Sequence, residues 1–395
     1  MSVMFTSLIG TSDAPVPPPP PETLLRIDFV DEYVSSEVTI VVESATESSG
    51  NIVDWGDGTS DTYGAGVTTL THDYGDLCEY VEVCEEYCWE ECDEWFDEDL
   101  GDWVYDNCQE VCEDECWEDA VCNFVFDISI KGASHRLEIL PVDTVASIEV
   151  IQLSSALTDC RKMLPLTNVR ADVLRIPDGV TDCTEMFGSS SVRISEIIIP
   201  PSVVKAPNLF GYAVVGEVIV GKVTFLPGRT STPPNIVSNE AIAGMYISLI
   251  TIPDSVEDCS YLLASAGPSV IVDKVILPPT IKNCSYMFGY SEMRSLPEGF
   301  TVPAGAENCE GMFRACEIED LDIANLLADW SAADTGTRNV KNMFSECLKV
   351  GGTAPAEKLW NNHNIDWVNT RGCFELCTGL DNYEEIPESW GYLPE

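Results

Sequence analysis

From residue 23 to about residue 77 the chain alternates apolar and polar positions with a period of two. The runs LLRIDFV, SSEVTIVVE, NIVDWGDGTSDTYG and VTTLTHDYG are rich in β-branched residues and are broken by Gly, Asn and Asp. Successive side chains of a strand point to opposite faces, so these runs predict strands with one buried face, joined by tight turns. The strand expected after THDYG appears only at NFVFDISIKG, residues 123–132. Residues 78–122 therefore read as an insertion at a hairpin tip, where added length costs little. The expectation for 23–134 is an antiparallel β-sandwich with one interruption.

From about residue 135 the period changes. VLRIPDGVTDCTEMF, EIIIPPSVVKAPNLF, SLITIPDSVEDCSYLL, KVILPPTIKNCSYMF and FTVPAGAENCEGMF share one phrase, and RNVKNMFSEC and NTRGCFELC are drifted copies. Cys160 and Cys183 are 23 residues apart, and Cys259, Cys284 and Cys309 follow one another at 25. A unit of that length cannot bury its apolar face alone, so residues 135–395 are expected to form a solenoid whose turns pack on their neighbours. The five cysteines just named share one repeat position, Cys316, Cys347 and Cys377 share another, and Cys373 belongs to the last, degenerate unit. A recurring position becomes a ladder along the solenoid, and a small apolar thiol suits a buried one. Disulfides between sequence neighbours, Cys309–Cys316 and Cys373–Cys377, are the covalent alternative.

The insertion holds the other eight cysteines: Cys78, Cys84, Cys88, Cys92, Cys108, Cys112, Cys116 and Cys122. Their spacing is palindromic about residue 100. Cys84, Cys88 and Cys92 lie at i, i+4 and i+8, one stripe of a helix, as do Cys108, Cys112 and Cys116 on a second. With a turn at Leu100-Gly101-Asp102, the antiparallel stripes imply the pairs Cys92–Cys108, Cys88–Cys112, Cys84–Cys116 and Cys78–Cys122. The arrangement resembles the disulfide-stapled α-hairpin built from two Cys-x3-Cys segments. Residues 78–122 contain 19 acidic and no basic residues, with little core beyond Trp89, Trp95, Trp103 and Trp117, so covalent staples are expected. Zinc held by facing Cys-x3-Cys pairs and free, redox-active thiols are the rival readings.

Trp55-Gly56-Asp57-Gly58-Thr59 followed by His72-Asp73-Tyr74 resembles the WGDGT…HxY signature of PKD-like immunoglobulin-type domains, over residues 23–77 and 123–134. The resemblance implies a structural role for Trp55, Gly56, Asp57, Gly58, His72 and Tyr74: a tight turn with aromatics packed on it. Asp57 as a catalytic acid or calcium ligand is the lesser reading, because no second carboxylate cluster follows the metal-loop pattern. The repeats resemble BspA-type leucine-rich repeats over most of residues 145–378. The likeness is best kept at Ile252-Pro253-Asp254-Ser255-Val256 and weakest near 212–245. IEVIQLSSALTDCRKMLPLTNV also resembles the entry unit found where a WGDGT domain precedes such repeats.

Charge narrows the partners. The formal net charge is −47, with no Lys or Arg between Arg26 and Lys131, a field that repels nucleic acid and anionic membranes alike. No apolar run approaches the ~20 residues that span a bilayer, so no membrane insertion is expected. Residues 1–22 end in a polyproline stretch, a stiff spacer or an arm that docks on a neighbouring subunit. They lack a basic n-region and read as no secretory signal. The three histidines, His72, His135 and His363, sit in no nucleophile motif, and no phosphate loop or carboxylate dyad stands out. The expectation is a protein that is not an enzyme and uses no cofactor.

A cysteine-stapled chain without an export signal, carrying these two family resemblances, implies an accessory virion protein of a tailed bacteriophage. Capsid decoration, neck or collar, and tail fibre are the places implied, with oxidation following lysis of the cell. The expected partners are other virion proteins, further copies of itself in a homo-oligomer, and a host-surface receptor; the expected location is the virion surface. The alternative is a BspA-like adhesin on the bacterial cell surface that binds host or matrix protein.

Overall fold

A computed structural model describes residues 22–391, apart from 30–36, 46, 49, 75–77, 98–101, 123–124, 133, 142–144, 166–167, 189, 211–216, 238–243 and 320. For residues 28, 78–97, 102–122, 141 and 145–146 it describes the backbone alone. The chain is mainly β, and its C-terminal part is a β-solenoid.

The N-terminal strands are β1 (Glu22–Phe29), β2 (Glu37–Ser44), β3 (Ile52–Asp54), β4 (Ser60–Thr62) and β5 (Gly66–Asp73). The next four are β6 (Cys78–Asp97), β7 (Asp102–Cys122), β8 (Val125–Lys131) and β9 (Ser134–Pro141). β5, β2 and β9 form one antiparallel sheet in that order, and β1, β8, β3 and β4 lie side by side in a second. The period-two runs behave as expected: Val38, Ile40 and Val42 of β2 are buried, and so are Leu25 and Ile27 of β1 and Phe126, Ile128 and Ile130 of β8. Together with Trp55, Leu137 and Ile139 they join one apolar cluster. Each fully buried side chain of this size contributes about 1.5–3 kcal/mol.

The insertion is not helical. β6 and β7 form a long antiparallel hairpin in which Cys78 faces Cys122, Cys84 faces Cys116 and Cys88 faces Cys112 along the backbone register. The palindrome fits both geometries, because every interval between cysteines on one arm is even and a strand places even intervals on one face. A helix fits less well: Cys78, six residues before Cys84, would stand roughly 240° around from the stripe. The register slips between Glu91 and Asp93, beside Cys92, so the fourth expected rung coincides with a bulge. Acidic residues are also partners in the backbone register, Glu82 with Glu118, Glu85 with Glu115, Glu86 with Asp114 and Glu90 with Glu110. Directly opposed like charges destabilise a strand pair, which strengthens the need for cross-links.

β10 (Val145–Gln152) runs antiparallel to β1 and parallel to β11 (Asn168–Arg175). From there β12 (Ser191–Ile199), β13 (Val218–Phe225), β14 (Met245–Thr251) and β15 (Val270–Ile276) add in parallel, one strand per turn. The result is a single ten-stranded sheet from β15 through β10, β1 and β8 to β4. The N-terminal unit thereby covers the edge that the first solenoid strand would otherwise expose. At the other end Trp390 packs on Phe374, Trp360 and Trp367 and closes the last turn.

Three ladders hold the turns together. Phe288, Phe313, Phe344 and Phe374 stack with centroids 5.5, 5.4 and 5.4 Å apart. Cys160, Cys183, Cys259, Cys284 and Cys309 form the expected buried row, and all nine solenoid cysteines are free thiols. Cys316 touches Cys347 at 3.4 Å, a pairing between turns rather than between sequence neighbours. The third ladder was not anticipated. The residue before the repeat cysteine is Asp or Asn (Asp182, Asp258, Asn283, Asn308), and its side chain accepts from the backbone N–H two residues on. Asn339 donates to Asn308, and Asn308 to Asn283, each at 3.0 Å.

Candidate interaction surface on the solenoid

The six signature residues of the N-terminal unit do come together. Gly56 takes φ +82°, and its N–H donates to Asp54 at 3.1 Å. One oxygen of Asp57 accepts from the backbone N–H and hydroxyl of Thr59 at 2.9 and 2.7 Å, and the other pairs with His72 Nε2 at 2.8 Å. Desolvation pushes the Asp57 carboxyl up, but the hydrogen bonds from Thr59 and His72 outweigh it and hold the group below its ordinary value. His72 stacks on Trp55 with centroids 4.8 Å apart, and Tyr74 meets His72 edge-on and donates its hydroxyl to the Trp55 carbonyl at 2.8 Å. Burial drives the Tyr74 phenol far above its usual range. Both Asp57 oxygens are consumed within the protein, so this arrangement clamps a turn. Among the described residues no group of three or more His, Cys, Asp or Glu could hold a metal ion. The eight hairpin cysteines have no described side chains.

A different surface emerges from the backbone of the repeat. Of the twelve non-glycine residues with positive φ among the described residues, eleven stand two or six residues after the repeat cysteine or its equivalent, and Asn235, one residue later in its longer turn, takes the first place there. Asn208, Asn235 and Asn342 fill the first place in their turns, and Gly311 and Gly372 fill it in others. Asn and Gly adopt this left-handed conformation at low cost; a bulky side chain pays about 1–2 kcal/mol. Yet Tyr261, Tyr286 and Tyr290 stand at these places with φ of 59°, 52° and 60°.

The three rings form one array. Tyr261 and Tyr286 are near-parallel at 5.1 Å between centroids, and Tyr286 and Tyr290 at 6.1 Å. Tyr261 and Tyr290 remain 42% and 46% exposed. Tyr286 lies against Gly311, where an added Cβ would come within 2.4 Å of its ring. Arg314 sits over Tyr290 at 5.5 Å and is fixed by Glu346 at 2.9 Å, and Lys341 pairs with Glu310 at 2.7 Å. Aromatic faces and edges thus stand beside oriented charges on consecutive turns. The sequence did carry a signal: CSYLL and CSYMFGY set Tyr two residues after the cysteine, where other turns have Asn, Gly, Glu or Lys.

Comparison of the chain with protein-family models, with curated proteins and with solved structures finds no match.

Proposed function

We propose that this is a non-enzymatic structural and adhesion protein, an accessory component of a tailed-phage virion, whose solenoid presents the Tyr261–Tyr286–Tyr290 ridge to a partner. The observation that carries the reading is the strained, partly exposed tyrosine array, a costly choice that includes two places, those of Tyr261 and Tyr286, where Asn or Gly stands in other turns. The finer identity of the units belongs to the same proposal: a PKD-like β-sandwich, supported by the WGDGT turn clamp, followed by BspA-type leucine-rich repeats, supported by the one-strand-per-turn ladder. An antibody against the protein, applied to fractionated lysates of the cells that make it, tests the location. Signal that co-sediments with particles supports the virion reading, signal in the cell envelope supports the adhesin, and signal confined to the soluble fraction defeats both. Tyr286→Ala is expected to weaken retention on the receiving fraction about tenfold or more, in the range of an aromatic hot spot, with the melting temperature little changed. Equal retention of variant and parent removes the ridge from the proposal.

The eight hairpin cysteines are proposed to form cross-strand disulfides, each contributing about 2–4 kcal/mol, though nested loops do not add. Alkylation of the unfolded, unreduced protein is then expected to label the nine solenoid thiols and leave the eight hairpin positions masked. Labelling of all 17 cysteines, or release of zinc by a chelator, overturns the staple.

A further inference from the structure

One turn of the solenoid departs from a rule that six others keep. Three residues before the repeat-cysteine position stands a core residue: Leu157, Val180, Val203, Val256, Ile281 and Ala306, all buried. In the intervening turn this place is Arg229, 6% exposed, and the cysteine position three residues later is Thr232, also buried. The turn is aligned by its bridge from Ser231 to Asp258, the next position in the same row. An apolar pair has been replaced by a guanidinium and a hydroxyl.

Among the described residues nothing compensates the charge. Arg229 Nη2 donates to the Val203 carbonyl and its guanidinium lies 5.2 Å from the centre of the Phe225 ring. Nε and Nη1 have no hydrogen-bond partner among the described residues, nor does the Thr232 hydroxyl. No carboxylate among the described residues pairs with Arg229, in a chain of net charge −47. Burial pulls its pKa down to about 10, which leaves it protonated at neutral pH. An unpaired buried cation costs several kcal/mol, and two unpartnered polar groups side by side in a core row add to that. Directly outside them is a depression of about 230 Å³, lined by Pro201, Val204, Gly228, Thr230 and Pro233 together with Arg229 and Thr232.

We propose that Arg229 and Thr232 form a binding site for a compact oxyanion, inorganic phosphate or a carboxylate, seated in this depression. The anion supplies the missing countercharge and accepts from the guanidinium and the Thr232 hydroxyl once the Arg229 side chain shifts toward the opening. The site is independent of the tyrosine ridge and of any place on a virion.

The test is thermal unfolding of the full chain titrated with inorganic phosphate, and separately with acetate, at constant ionic strength set by chloride. The melting temperature is expected to rise by a few degrees with phosphate, acetate or both, as for any ligand bound only by the folded state. Arg229→Val restores the residue type of the row, so it is expected to fold, to melt higher without anion, and to lose the response. A response to phosphate alone assigns a tetrahedral ligand, and one to acetate assigns a carboxylate such as a partner's side chain. No response in the parent, or an equal response in Arg229→Val, overturns the site.

Discussion

Phe313→Ala is expected to cost about 3–5 kcal/mol, the range for truncating a fully buried aromatic. Phe313 has no exposed surface and is held between Phe288 and Phe344 with planes within 4° and 2° of parallel. Its loss removes transfer free energy, opens a cavity and ends two stacks at once. Because each turn is stabilised by its neighbours, the damage is not spread evenly. Denaturant unfolding followed by hydrogen exchange is expected to show the turns beyond Phe313 opening before the N-terminal unit. Phe313→Leu gives the comparison, since Leu164 and Leu263 already fill this position in other turns and are buried there. A Leu variant as damaged as the Ala variant contradicts the cavity argument.

Gly56→Ala comes next in size. Here φ is +82°, and an added Cβ lies 2.4 Å from the Asp127 carbonyl oxygen and 2.9 Å from its nitrogen, both backbone atoms of β8. The left-handed conformation costs about 1–2 kcal/mol and forcing the two strands apart about 1–3 more. Gly58, two residues on, also has positive φ but meets nothing within 4 Å. Gly58→Ala is thus expected to show the conformational cost alone, and paired melting curves separate the two contributions. If Gly58→Ala is the more damaging, close approach to β8 is not what Gly56 provides.

Periodic runs and the WGDGT turn were legible in the sequence; pairings between distant segments and unusual backbone conformations were not. Period-two runs such as SSEVTIVVE announce a half-buried strand, and the recurring Pro and Cys phrase announces turns of constant length. The hairpin was misread because intervals of four and six residues satisfy a helix stripe and a strand face together; only Cys78, off the stripe, argued for the strand. The join between β1 and β10 depends on pairing across 120 residues, which no local pattern encodes. The tyrosine ridge needs φ values, since the cost of Tyr286 is invisible until its backbone is known to be left-handed. Arg229 could have been noticed: it stands where six aligned repeats place Val, Ile, Leu or Ala, in the stretch where the repeat resemblance is weakest.

The shared sheet has a mechanical consequence. Arg26 of β1 faces Asp127 of β8 on one side and Glu149 of β10 on the other, and the row continues through Arg170 and Arg193 into the solenoid. A load applied at the solenoid rim therefore reaches the N-terminal unit through backbone hydrogen bonds loaded side by side, not through a peptide tether. A protein built this way transmits torque, and under tension it is expected to yield as one body rather than as two modules on a string.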